Sequence, residues 1–274
     1  MKIKKIRNIL LNIVIVCLLV IFSISAFKIS EWFVDNNKTD KVIKKIEKKT
    51  KVVEKKDTPN TETINPPTVE EIDEFNPYWD YMSMNLIDVD FTDLKNDNPD
   101  IVGWIKVNGT KINYPFVQTS DNSYYLTHSF DKSHNSSGWV FMDYRNNPTQ
   151  FDKNTILYAH GRVNGTMFGS LKNALSSDWL DNTDNYVVKL STETENTLWQ
   201  VFSIYHIPTT NDYIKTTFIS DEDFLNFINL IKNRSMHDFN TLVDVNDKIL
   251  TLSTCYNEEE KVVMHAKLIK REVK

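Results

Sequence analysis

The sequence predicts a mostly-β fold: a closed eight-stranded β-barrel with N-terminal helices and one long helix before the last strands. Three observations carry this expectation. Eight short apolar runs of strand length succeed one another between Ile101 and Ile269. The chain of 274 residues holds only six glycines, and short strands with few glycines suit a closed or nearly closed barrel. One well-capped helical pattern interrupts the later runs, and short strands that close on themselves leave no open edge.

The elements follow in chain order. Residues 1–8 are a short basic stretch. From Ile9 to Phe27 the chain is apolar, broken only by Asn12, Ser23 and Ser25. A helix over that run rises about 28 Å, close to one bilayer core. The expectation is an uncleaved transmembrane signal anchor at residues 9–27, N-terminus cytoplasmic and body outside. Ser23-x-Ser25 leaves a cleavable signal peptide as the alternative. Residues 28–68 read as a basic juxtamembrane stalk followed by a linker with three prolines between Asp57 and Thr68. Val42, Ile43, Ile46, Val52 and Val53 are spaced loosely as on a helix, so the basic part reads as a juxtamembrane helix or a solvated stalk, the thin apolar face favouring the stalk. The folded domain is expected over residues 69–274.

Within that domain Thr68 can cap a helix whose stripe is Ile72, Phe75, Trp79 and Met82, with Pro77 able to divide it. Phe91–Asn96 reads as a second short helix. The strand runs are Ile101–Val107, Ile112–Val117, Gly138–Asp143, Thr155–His160, Tyr186–Leu190, Leu198–Ile207, Lys248–Cys255 and Val262–Ile269. Asn108-Gly109 joins the first two as a hairpin turn. Met167–Leu175 is a further helical stretch. Ser220 caps the long helix, Asp221 and Asp223 suit its first turn, and Phe224, Phe227, Ile228 and Ile231 form its apolar face.

Charge divides along the chain. Residues 1–56 carry 14 Lys+Arg against 5 Asp+Glu; the remainder is acidic, for a net of −5 overall. An acidic body excludes nucleic acid as a partner, because phosphate binding needs a basic face. A basic N-terminus suits an anionic membrane surface. No Cys/His/Asp/Glu set has metal-ligand spacing, so neither a metal nor another cofactor is expected.

The chain has two cysteines, Cys17 in the apolar run and Cys255 at the end of Ile249–Cys255. Cys17 reads as a small membrane-facing hydrophobe. Cys255 has no intrachain partner outside the membrane and reads either as a core cysteine or as a nucleophile; its polar neighbours Ser253 and Thr254 weaken the first reading and leave both open. A nucleophilic cysteine needs a base. Of the six histidines, His160 ends an apolar strand just before Gly161, at the rim where functional groups gather. His265 reads as a packed strand residue, His206 as a strand residue, and His128, His134 and His237 as solvated loop residues.

These segments resemble a known family. Thr251-Leu252-Ser253-Thr254-Cys255 is similar to the signature of sortases, and Ile156-Leu157-Tyr158-Ala159-His160-Gly161 resembles their histidine strand. Ser137-Gly138-x-x-Phe141-Met142-Asp143-Tyr144-Arg145-Asn146 resembles a segment of class B sortases. So do Ile112–Gln118 with the following Asp121–Leu126, and the long helix before the last strands. The resemblance spans about residues 70–270. It implies a sortase-type barrel and a cysteine transpeptidase that needs no cofactor. Cys255 would attack a C-terminal sorting signal of the NPxTx kind in secreted proteins, forming a thioester. His160 would be general acid/base. The acyl group would pass to a cell-wall amine, from a peptidoglycan peptide or its lipid-linked precursor. Ser253 and Thr254 would touch substrate, and Asp143 or Tyr144 would support the barrel.

One position departs from the family. The arginine expected at the start of the last strand is Lys261 here. Lysine keeps the charge and loses the planar two-donor fork. Three readings are open: Lys261 substitutes; another arginine, Arg162 near His160 or the more distant Arg271, reaches in; or the domain binds the signal with weak or no turnover. A different wall enzyme, an L,D-transpeptidase, is disfavoured because no glycine precedes Cys255.

Overall fold

The computed structural model describes residues 2–66, 78–255 and 259–274. Helix α1 (Lys2–Lys49) is followed by β1 (Val52–Lys55), β2 (Thr61–Thr63), α2 (Tyr78–Ser83), β3 (Leu86–Val89) and α3 (Thr92–Asp97). Next come β4 (Ile101–Val107), β5 (Asn113–Val117), β6 (Phe141–Met142), β7 (Asn154–Ala159), α4 (Ser177–Leu180), β8 (Val187–Thr192) and β9 (Glu195–Pro208). The chain ends with α5 (Asp221–Asn233), β10 (Ile249–Cys255) and β11 (Glu260–Val273).

The strands run β10-β7-β6-β5-β4-β8-β9-β11, and β11 pairs back onto β10, which closes an eight-stranded barrel. The eight predicted runs are its eight staves. Two pairs are parallel, β10 with β7 and β5 with β6. Alternation along the staves sorts the side chains. On β11, Val262, Met264, Ala266 and Leu268 join the main core, whereas Val263 faces a second core under α5. Helix α5 forms as expected: the Ser220 hydroxyl accepts the Asp223 amide at 3.1 Å, and Phe224, Phe227, Ile228 and Ile231 are buried. They pack on Phe202, Tyr205, Ile249 and Val263, so α5 covers one outer face of the barrel.

Of the stretch read as stalk and linker, the described residues 28–66 hold the rest of α1 and the short strands β1 and β2. Helix α1 continues unbroken from the apolar run, whose mean hydropathy reaches 2.9 and which is long and apolar enough to cross a membrane. Its later turns dock on the barrel through Asp35, Asn36, Thr39, Val42 and Ile46, a single stripe at helical spacing. Hydrophobic periodicity misses that stripe because half of it is polar and satisfied by the domain. β1 pairs with β3, and β2 adds to the outer edge of β11. These strands are short and polar; Glu54 joins Lys106 and Lys189 at 2.8 and 2.9 Å, and Lys55 meets Glu272 at 2.9 Å. The expected domain start at Val69, and the helical positions Ile72, Phe75 and Pro77, lie outside the described residues.

His265 is fully buried under α5. Tyr205 donates to its Nε2 at 2.9 Å, and its Nδ1 lies 2.9 Å from the Thr251 hydroxyl. That hydroxyl donates to Asn154 Oδ1 at 2.7 Å, so the ring is the neutral Nδ1–H tautomer. Burial, with Arg234 nearby, pushes its pKa from 6.5 down to about 3. A folded-state pKa below the unfolded value contributes stability that is whole above 6.5 and lost as pH falls toward 3. Stability is therefore expected to fall by up to roughly 1.4 kcal/mol per pH unit across that window. NMR should show the His265 ring still neutral at pH 4 to 5; a ring titrating near its ordinary value overturns this.

Candidate active site

The C-terminal ends of β7 and β10 lie side by side because the two strands are parallel, with Thr254 opposite Ala159. The next residue on β10 is Cys255 and the next on β7 is His160. On the other side of β10, Cys255 pairs directly with Lys261 of β11. His160, Cys255 and Lys261 therefore line up across three adjacent strands, whose neighbours are spaced about 5 Å apart. His160 is far from the other two in sequence, and only the parallel pairing of β7 with β10 and closure of the barrel onto β11 bring them together.

A cleft of about 310 Å³ opens there, walled by His160, Lys261, Ser253 and Thr254 and roofed by the segment from Thr209 to Ile214. His160 is half-buried at the cleft edge. Its Nε2 sits 2.8 Å from the Leu126 carbonyl, which can only accept, so Nε2 carries a proton and Nδ1 is the nitrogen that can exchange one. Ser253 is buried and its hydroxyl meets the Tyr213 hydroxyl at 3.0 Å, tying the strand end to the roof. Thr209 anchors the same roof by donating its amide to the Glu259 carbonyl at 2.8 Å.

Asp143 is buried beneath the cleft and does not line it. Arg145 grips it with Nε at 2.8 Å and Nη2 at 2.7 Å, and the Tyr158 hydroxyl donates to it at 2.9 Å. Burial pushes its pKa up, but the hydrogen bonds from Arg145 and Tyr158 outweigh burial and hold the carboxyl below its ordinary range. Arg145 also donates to the Ile214 carbonyl at 2.9 Å, so this cluster buttresses the roof. The Tyr144 side chain is exposed.

The arginines weighed as replacements for Lys261 go elsewhere. Arg162 donates to Asn36 of α1 at 2.8 Å and does not line the cleft. Arg271 lies near the far end of β11 and donates to Glu62 at 2.9 Å. Lys261 is the cation in the cleft wall among the described residues. The other histidines lie apart. His237 meets Tyr186, His206 approaches Glu260, and His128 stacks on Tyr124 beside His134. Sequence reasoning missed the Leu126 carbonyl, Tyr213 and Asn122, another residue of the cleft wall. A backbone acceptor has no side-chain signature, and Tyr213 sits in a polar stretch without periodicity.

A closed barrel that brings a cysteine and a histidine to adjoining strand ends has the residue pair that cysteine nucleophilic catalysis needs. Residues 105–269 match the Sortase domain family. Sortase B of Staphylococcus aureus is 38% identical over 184 residues, spanning 66% of this chain and 75% of that protein. A Staphylococcus aureus sortase B–substrate complex superposes with a TM-score of 0.62 at 38% identity, over 66% of this chain and 84% of that one. A sortase B complexed with triglycine gives 0.62 at 36% identity, over 66% and 85%. The chain belongs to the sortase family, in its class B.

Proposed function

We propose that this class B sortase cuts a C-terminal sorting signal of the NPxTx kind from secreted proteins and transfers them to a cell-wall amine. The observation that carries the reading is the meeting of three strand ends, with Cys255 of β10 paired to Lys261 of β11 and His160 following directly on Ala159 of β7, which pairs with Thr254. The Cys255 thiolate attacks the threonine carbonyl of the signal, and the tetrahedral oxyanion collapses as the C–N bond breaks. His160 gives its proton to the departing amine, leaving a thioester. An acceptor amine then attacks, His160 takes its proton, and the thiolate leaves with the C–S electrons. Ser253 and Thr254 line the cleft where the signal lies. The acceptor is an amine of a peptidoglycan peptide or its lipid-linked precursor; a sortase B solved with triglycine supports a glycine peptide as the acceptor class. Residues 9–27 hold the enzyme in the membrane with the N-terminus inside and the catalytic domain outside.

Lys261 supplies the positive charge for the oxyanion. Removing one such donor typically costs ~10²–10³ in rate. Lys261→Ala is expected to lower kcat/KM by about 10²-fold, and Lys261→Arg to match or exceed the parent, since guanidinium can make two bonds. An unchanged kcat/KM in Lys261→Ala removes it from the mechanism. The function itself is tested with fluorogenic peptides bearing NPxTx and scrambled signals, with and without triglycine. Motif-dependent cleavage and a ligated product are expected; equal cleavage of the scrambled peptide overturns the signal.

A further inference from the structure

Two segments hold His160, and both rest on α1. The first is the turn from Tyr125 to Gly138. Its Leu126 carbonyl accepts from the imidazole, and Gly138 lies so close that a Cβ there would sit 3.1 Å from the ring and 2.5 Å from the Tyr125 carbonyl. This turn is pinned to the helix. Buried Asn135 donates to the Asp35 carbonyl at 3.2 Å and the Thr39 hydroxyl at 3.0 Å, and the Ser136 amide donates to the Asp35 carboxylate at 3.0 Å. Burial raises the Asp35 pKa, but its hydrogen bonds with Ser136 and the charge of Lys38 hold it below the ordinary value.

The second segment follows His160 directly. Phe168 donates its amide to the His160 carbonyl at 3.1 Å, and Gly169 packs against the Arg162 backbone, where a Cβ would come within 2.0 Å of the Arg162 carbonyl oxygen. Arg162 then reaches α1: Nη2 donates to Asn36 at 2.8 Å and the guanidinium lies 6.0 Å over the Trp32 ring. Its Nε is buried without a hydrogen-bond partner. An apolar side chain would pack under a helix without that desolvation cost. The costly cation instead makes a directional contact two residues from the imidazole.

We propose that the turns of α1 from Trp32 to Thr39 are the seat of the catalytic histidine. The Arg162–Asn36 contact and the Asp35 contacts to Asn135 and Ser136 set where the His160 ring stands. Arg162 and Asn36 are positioning residues, and the helix that carries the membrane anchor is part of the active-site framework. The proposal rests on His160 being the acid/base.

The test uses the full chain in nanodiscs with a fluorogenic sorting-signal peptide. Asn36→Ala and Arg162→Ala are each expected to lower kcat about tenfold, within the ~10²-fold that a 1 Å misplacement can cost. KM should stay within twofold, and the His160 limb of the pH–kcat profile should move. Asn36→Asp, which offers Arg162 a carboxylate, should restore kcat and the profile. Folded Asn36→Ala and Arg162→Ala variants with unchanged kcat and pH profile, even with lower melting temperatures, overturn the seat. If Arg162→Ala does not fold, Asn36→Ala decides, since it leaves the guanidinium with its buried Nε in place and removes only its acceptor. His160→Ala separates the two readings. Full turnover there sinks the acid/base assignment and the seat with it. Lost turnover there, with Asn36→Ala and Arg162→Ala unaffected, sinks the seat alone.

Discussion

Cys255→Ala is expected to abolish both cleavage and transfer, with no thioester adduct by mass spectrometry when the enzyme is mixed with a sorting-signal peptide. The expected loss is the largest of any substitution in this chain. In the proposed reaction the acyl group is bonded to this residue, and removing a nucleophile from an acyl-transfer unit costs on the order of 10⁶ in kcat. The fold should not suffer. The β10–β7 and β10–β11 ladders are made by backbone groups, which alanine retains. A melting temperature close to the parent's, with activity lost, is the expected pair of results. Cleavage that persists in the variant excludes Cys255 as nucleophile.

His160→Ala is the second large effect. A positioned acid/base contributes roughly 10²–10⁴-fold. In the proposed reaction it serves both half-reactions, first protonating the leaving amine and then deprotonating the attacking one, so kcat is expected to fall in each. The Leu126 carbonyl holds Nε2–H, which leaves Nδ1 as the exchanging nitrogen. Two residues that act as one unit are not additive. The double variant of Cys255 and His160 is therefore expected to be no slower than Cys255→Ala alone. Single-turnover kinetics with the peptide measures this. A further drop in the double variant shows that His160 acts outside the covalent pathway.

The two halves of the site were not equally legible. Cys255 and His160 could be singled out because each closes an apolar strand run beside polar or glycine neighbours, and that pattern is local. Lys261 could be found only by placing it against the family's pattern. Support by Asp143 was expected only through the family resemblance, and the Arg145 clamp that links it to the roof has no signature in the sequence. Arg162 was misleading by proximity. It stands two residues from His160 in sequence, yet its side chain leaves the cleft for α1. Similarly, α1 beyond Phe27 looks like a stalk because Asp35, Asn36 and Thr39 break its apolar stripe, and only their partners on the barrel show why they are buried. β1, β2 and β3 are three or four residues long and carry too little alternation to be read.

The sequence by itself determined the eight barrel strands, the Ser220-capped helix α5, an apolar run of bilayer length and the residue types of the site. These follow from side-chain alternation, capping and hydropathy, all of which act over a few neighbouring residues. Only the tertiary structure decided which strand ends adjoin, which arginine stays out of the cleft and what the histidine rests on. Those depend on the pairing of β10 with β11 and with β7, the latter across the 89 residues from 160 to 248. They depend equally on backbone acceptors such as the Leu126 carbonyl, a group every residue carries and no sequence marks.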